Sequence, residues 1–216
     1  MALFKYEHIG THTHLYIWKI EEEFDDLFDE IHLTDMNMIR LMSMKSVQHQ
    51  RGFLSVRKLF QAAGYTDFDV TYDATGKPHL NDGHHISISH SHGFSAIMIS
   101  DTTVGIDLEL MREKIIRIAD KFTSEEEEKY LDASDDNYVK ILTVLWGVKE
   151  SIFKIRNEIG ISFKDHITTF AFDINSGIAH ARLDFEDIHR HFEVKFQTIE
   201  DHMLVYAFET ANEKAL

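Results

Sequence analysis

At 216 residues, with 44% hydrophobic and 27% charged side chains, the chain is long enough to bury a core and has the balance of a globular protein rather than a disordered or fibrous one. Its formal charge of −15 argues against nonspecific contact with nucleic acid or an anionic membrane, which need surplus Lys and Arg, but permits a small anion held by a few local cations and a divalent metal. There is no cysteine, so catalysis falls to carboxylates, His, Lys, Ser or a metal; with no run of roughly 20 apolar residues and no basic-then-apolar start, the expected location is the cytoplasm.

In chain order, the acidic stretch Glu21 to Met44 predicts one amphipathic helix, and SVQHQRGFLSVRKLFQAAG from Ser46 to Gly64 a second, with Val47, Phe53, Leu54, Leu59 and Phe60 at helical spacing. Phe68 to Tyr72 reads as a strand, DATGKP as a turn, and Ile86 to Ser100 as a hairpin broken at His92-Gly93. Glu125 to Glu128 reads as a solvated first helical turn capped by Thr123 or Ser124. Asn137 to Arg156 predicts a longer helix, followed by strands at Thr168 to Asp173, Ile178 to Leu183, Phe192 to Gln197 and Met203 to Phe208. Helix followed by strands thus occurs twice. The fold class is α+β, with similar halves expected at 1–103 and 104–216.

Two elements carry chemistry. In Val104-Gly105-Ile106-Asp107-Leu108-Glu109, strand alternation points Asp107 and Glu109 to one face, an arrangement that suits an oxygen-liganded cation or, more plainly, a strand with one wet face. In the helix that follows, Trp146, Glu150 and Lys154 fall at i, i+4 and i+8 on one stripe, a spacing that alone describes an ordinary surface pair. Trp146 reads equally as core packing or as a ligand contact, and Gly147 is a mid-helix glycine that costs up to about 1 kcal/mol unless close packing requires it. His12-x-His14, His84-His85 and His90-x-His92 match no zinc pattern.

VGIDLE followed about forty residues later by WGVKESIFK resembles the signature of the 4'-phosphopantetheinyl transferases, in particular the larger, surfactin-type class. Gly76-Lys77-Pro78, which contains the chain's one proline, is similar to that class's GKP turn, and Ile88-Ser89-His90-Ser91 to its strand-ending SHS motif. The helix bearing Arg51 and Arg57 is a looser match to its arginine-bearing first helix.

The resemblance implies two similar α/β halves related by a pseudo-two-fold in one monomeric chain. It implies Mg²⁺ held by Asp107, Glu109 and Glu150 with the pyrophosphate of coenzyme A, and Lys154 contacting that pyrophosphate. Glu150, or water on the metal, would take the proton of the incoming serine. Arg57 or Arg51 with His90 would hold the 3'-phosphate, Lys77 and Pro78 would line the nucleotide site, and Ser89 would lie near the phosphates, with coenzyme A, the co-substrate, in the cleft between halves. The implied activity is transfer of the phosphopantetheine arm to a serine of an apo carrier protein, releasing 3',5'-ADP. The alternatives are a noncatalytic paralogue binding coenzyme A or carrier, and a Mg²⁺-dependent phosphodiesterase.

Overall fold

The computed structural model describes residues 3–210. They fall into two compact α+β units divided between Thr102 and Thr103. Among the described residues, no helix is long and apolar enough to cross a membrane.

The first unit opens with an antiparallel pair, β1 (Leu3–Ile9) and β2 (Thr13–Lys19). The stretch expected as one acidic helix is instead two, α1 (Phe24–Asp29) and α2 (Asp35–Ser43), because Thr34 is a helix N-cap: its hydroxyl accepts from the Asn37 amide. Helix α3 (Val47–Ala62) starts on Ser46 as cap, and strands β3 (Val70–Tyr72), β4 (Pro78–Leu80), β5 (His85–Ser91) and β6 (Phe94–Ser100) follow. β3 and β4 form a separate ribbon, while the main antiparallel sheet has the order β1-β2-β6-β5. One side of α3 buries Val56, Leu59 and Phe60 against Trp18, Ile86, Ile97 and Ile99; Phe53 and Leu54 on its other side meet Leu27, Ile31 and Leu41.

The second unit starts with β7 (Val104–Leu110), a 3-10 stretch at Glu113–Lys121, and the short α4 (Glu125–Glu128). Next come α5 (Tyr138–Arg156), α6 (Phe163–His166), β8 (Ile167–Thr169), β9 (Ile178–Phe185), β10 (Ile188–Ile199) and β11 (His202–Thr210). β8 is shorter than the predicted 168–173 strand. The antiparallel sheet has the order β7-β11-β10-β9-β8, and Val144, Val148, Ile152 and Ile155 of α5 pack on Phe192, Val194, Val205 and Ala207.

Each unit repeats one connectivity: a strand, a long helix, two short-range strands, then a hairpin whose last strand returns to pair with the first (β2-α3-β3-β4-β5-β6 and β7-α5-β8-β9-β10-β11). The closing hairpins turn at His92 and Glu200, both with left-handed φ, 49° and 51°. Asp73 and Asp173 play the same part in their turns, each carboxylate accepting the backbone amide two residues on.

Candidate active site

Helix α5 lies directly on the face of β7 that carries Gly105, Asp107 and Glu109. A Cβ at Gly105 would stand 1.9 Å from the Ser151 carbonyl oxygen, so only glycine lets the helix backbone come this close. Gly147 does the same on β11, where a Cβ would lie 2.5 Å from Val205 Cγ2. The glycine that weakens α5 in isolation is therefore a docking surface, and the helix runs unbroken through it.

Two residues beyond Gly105, Asp107 is 4% exposed, and its Oδ1 accepts a hydrogen bond from Lys154 Nζ at 2.9 Å; the same ammonium donates to the Ile106 carbonyl at 2.7 Å. Glu150, one turn before Lys154, lies within electrostatic reach of both. Burial pushes its carboxyl above the ordinary glutamate value, the Asp107 carboxylate pushes it further in the same direction, and Lys154 partly opposes them. Two acids and one cation from a strand and a helix thus share a half-buried patch, the oxygen-only donor chemistry that a hard divalent cation takes.

Glu109 lines an adjoining cavity of about 220 Å³ together with Arg112, Lys114, Ile118, Thr143 and Trp146. Trp146 also packs edge-on to Phe122 (5.3 Å) and Phe163 (5.6 Å), so it is both core and lining. Asp107, Glu150 and Lys154 are therefore brought together as the sequence expects, with Glu109 on the neighbouring wall. Among the described residues, no group of three or more His, Asp or Glu side chains is arranged to hold a metal ion.

Of the first-unit candidates, His90 sits at the exposed end of β5 beside Gly52 of α3, where its Nδ1 would be 3.6 Å from a Cβ added to that glycine. Gln48, His49, Gly52, His90, Ser91 and His92 line a cavity of about 240 Å³. Ser89 is buried in the middle of the same strand, and Lys77 and Pro78 are half-buried at the start of β4, where Lys77 donates its amide to Asp73. Arg51 is half-buried with one guanidinium nitrogen 3.4 Å from the Ile20 carbonyl.

Arg57 is placed differently. It is 3% exposed, stacks 3.4 Å from the Phe53 ring centre, donates through Nε to Asp67 Oδ1 at 2.9 Å, and reaches the Phe53 carbonyl. Asp67 in turn accepts from Asn37 Nδ2 and from the Thr34 amide, tying the start of α2 to α3. Arg57 is thus a core residue of the first unit, which leaves Arg51 as the helix's arginine nearer the surface. Of the histidines weighed as zinc ligands, His12, His14 and His84 line one cavity with Asp101, His12 Nδ1 and His84 Nε2 each 3.2 Å from an Asp101 oxygen, while His90 and His92 line another.

Sequence reasoning missed a buried ion pair one residue from Glu150. Lys149 and Glu127 are both 0% exposed, with Nζ 3.0 Å from Oε2. Glu127 is not on a solvated face. Ser124-x-x-Glu127 is a reciprocal capping box, and long-range contacts bury the acid: Glu127 Oε2 accepts from the Ser124 amide while Oε1 accepts from the Thr169 amide. The box was legible; its depth was not.

The 4'-phosphopantetheinyl transferase superfamily model matches residues 103–207, nearly all of the second unit. The chain is also similar to the 4'-phosphopantetheinyl transferase gsp of Aneurinibacillus migulanus, 34% identical over 128 residues that cover 57% of this chain and 53% of that protein. The match thus spans about half the length of that curated relative. With the signature residues gathered where β7 meets α5, the unit that spans residues 103–207 is a 4'-phosphopantetheinyl transferase superfamily domain.

Proposed function

We propose that the chain is an active transferase of the larger, two-unit class, moving the phosphopantetheine arm of coenzyme A onto a serine of an apo carrier protein. The observation that carries this reading is the Asp107–Lys154 contact with Glu150 beside it, on the two motifs that the family match spans. The repeated connectivity of the two units supports the class, and the cavity beside His90 supports a nucleotide role for the first unit.

In this reading Asp107 and Glu150, with Glu109 on the neighbouring wall, would hold Mg²⁺, to which the oxygen donors and the pressure of Asp107 on Glu150 are suited. Bound there, the ion would neutralise the diphosphate of coenzyme A. Lys154 offers its ammonium to the same phosphates. Glu150, whose affinity for a proton is raised, is matched to accept the serine hydroxyl proton as the serine oxygen bonds to the β-phosphorus. The bond from that phosphorus to the bridging oxygen breaks, and 3',5'-ADP leaves with the oxygen. Arg51, Lys77, Pro78, Ser89 and His90 would contact the nucleotide end. The enzyme positions and neutralises, and no covalent enzyme intermediate is needed.

Intact-mass analysis of an apo carrier incubated with the protein, coenzyme A and Mg²⁺ tests the proposal. A phosphopantetheine mass gain supports it. Binding without modification would indicate a noncatalytic paralogue, and loss of coenzyme A without carrier a phosphodiesterase.

A further inference from the structure

The buried pair behind Glu150 does more than its burial requires. Lys149 Nζ donates to Glu127 Oε2 and to the carbonyls of Phe163 (3.0 Å) and Ile167, three acceptors for three protons. Those acceptors lie on α4, on α6 and at the start of β8. Glu127 is fixed just as fully, by the Ser124 amide at the head of α4 and the Thr169 amide at the end of β8, both at 2.8 Å. Uncharged residues of similar size at both positions would fill the space without desolvating two charges, and buried pairs of this kind commonly add little or nothing to stability over apolar packing. What the pair supplies is direction.

Consecutive residues of an α-helix project about 100° apart. Lys149 reaches α4, α6 and β8 on one side of α5, while Glu150 and Lys154 reach towards Asp107 on β7. Apolar packing on the sheet and the close approaches at Gly105 and Gly147 hold α5 against β7 and β11. Lys149 adds directional bonds on the other side of the helix, and these fix its rotation.

We infer that Lys149 and Glu127 are positioning residues: together they set the rotation of α5 that aims Glu150 and Lys154 at Asp107. The inference rests on the transferase reading for its kinetic test, and stands apart from it in its structural one.

The test is the double variant Glu127→Gln/Lys149→Met. It leaves no charge buried alone and keeps an amide oxygen for the capping box. Assayed well below its melting temperature, it is expected to lose about tenfold or more in kcat while KM for coenzyme A stays within about twofold, the split expected when reacting groups are displaced but ground-state binding survives. An unchanged kcat, whatever happens to the melting temperature, would overturn the inference. Should the double variant not fold, Glu127→Asp, which keeps both charges and draws one back by a methylene, is expected to lower kcat in the same pattern, and parental kinetics there would overturn it. Should the wild type transfer nothing, the transferase reading is what fails. The crystal structure of the folded variant then decides: loss of the Lys154–Asp107 contact supports positioning, and its retention refutes it.

Discussion

The two units share a connectivity but not the residues at its centre. Counted from the closing hairpin, Lys19 of β2 pairs with the first residue of β6 as Leu110 of β7 pairs with the first residue of β11, so Tyr16 and Trp18 occupy the places of Asp107 and Glu109, and His14 that of Gly105. In the first unit these positions are aromatic and Trp18 joins the core under α3; in the second they are acidic, and a glycine brings the helix onto them. Both long helices are also pinned by a buried ion pair, Arg57–Asp67 on α3 and Lys149–Glu127 on α5. One framework thus carries an aromatic or an acidic strand face under its long helix.

Substitutions at matching positions sharpen the contrast. The largest stability effect is expected at Gly105→Ala, where the new Cβ meets backbone oxygen at 1.9 Å and must push α5 off its strand; a loss of about 3 kcal/mol or more is expected by denaturant titration, against about 1 kcal/mol or less for His14→Ala. Arg57→Met, which leaves Asp67 buried without its cation, is expected to cost about 3–5 kcal/mol by the same measurement. A change in affinity for coenzyme A at full stability would instead return Arg57 to a ligand role. Gly147→Ala sets a helix-propensity gain of up to about 1 kcal/mol against a Cβ only 2.5 Å from Val205, so a net loss of about 1–2 kcal/mol is expected.

The smallest effect is one of pH. Because folding raises the proton affinity of Glu150, the folded state holds a proton over a window beginning at the ordinary value of 4.5, and stability falls as pH rises through it. Glu150→Gln should therefore melt higher than the parent near neutrality, and the difference should vanish below that window. A variant that melts lower at neutral pH would break the account of the site's electrostatics.

Much of this was legible in the residues. The helices α3 and α5 announce themselves by apolar spacing, and the closing hairpins by alternation around short polar turns. VGIDLE and WGVKESIFK mark the site through their joint resemblance to the family signature; alternation and helical spacing put the groups on one face but alone describe a wet strand and an ordinary surface pair. What the sequence hid depends on contacts distant in the chain. Strand β1 has no buried residue, and the buried Leu15, Ile17 and Trp18 of β2 are interleaved with the amphipathic His14 and Tyr16, which blur the apolar-polar alternation in the residues. The break between α1 and α2 is set by Thr34, whose amide is held by Asp67, thirty-three residues away. Arg57 reads as a phosphate contact and Glu127 as a solvated charge because the buried partners that hold them, Asp67 and Lys149, belong to other elements of the fold.

The central claim is that the acidic face of β7 under α5 carries the chemistry. The direct measurement is phosphopantetheine transfer by Asp107→Ala, with the fold checked by thermal melting. Removing the acid that orients Lys154 and presses on Glu150 is expected to lower transfer by about a hundredfold or more while the cooperative melt is retained. Undiminished transfer by a folded Asp107→Ala protein would contradict it.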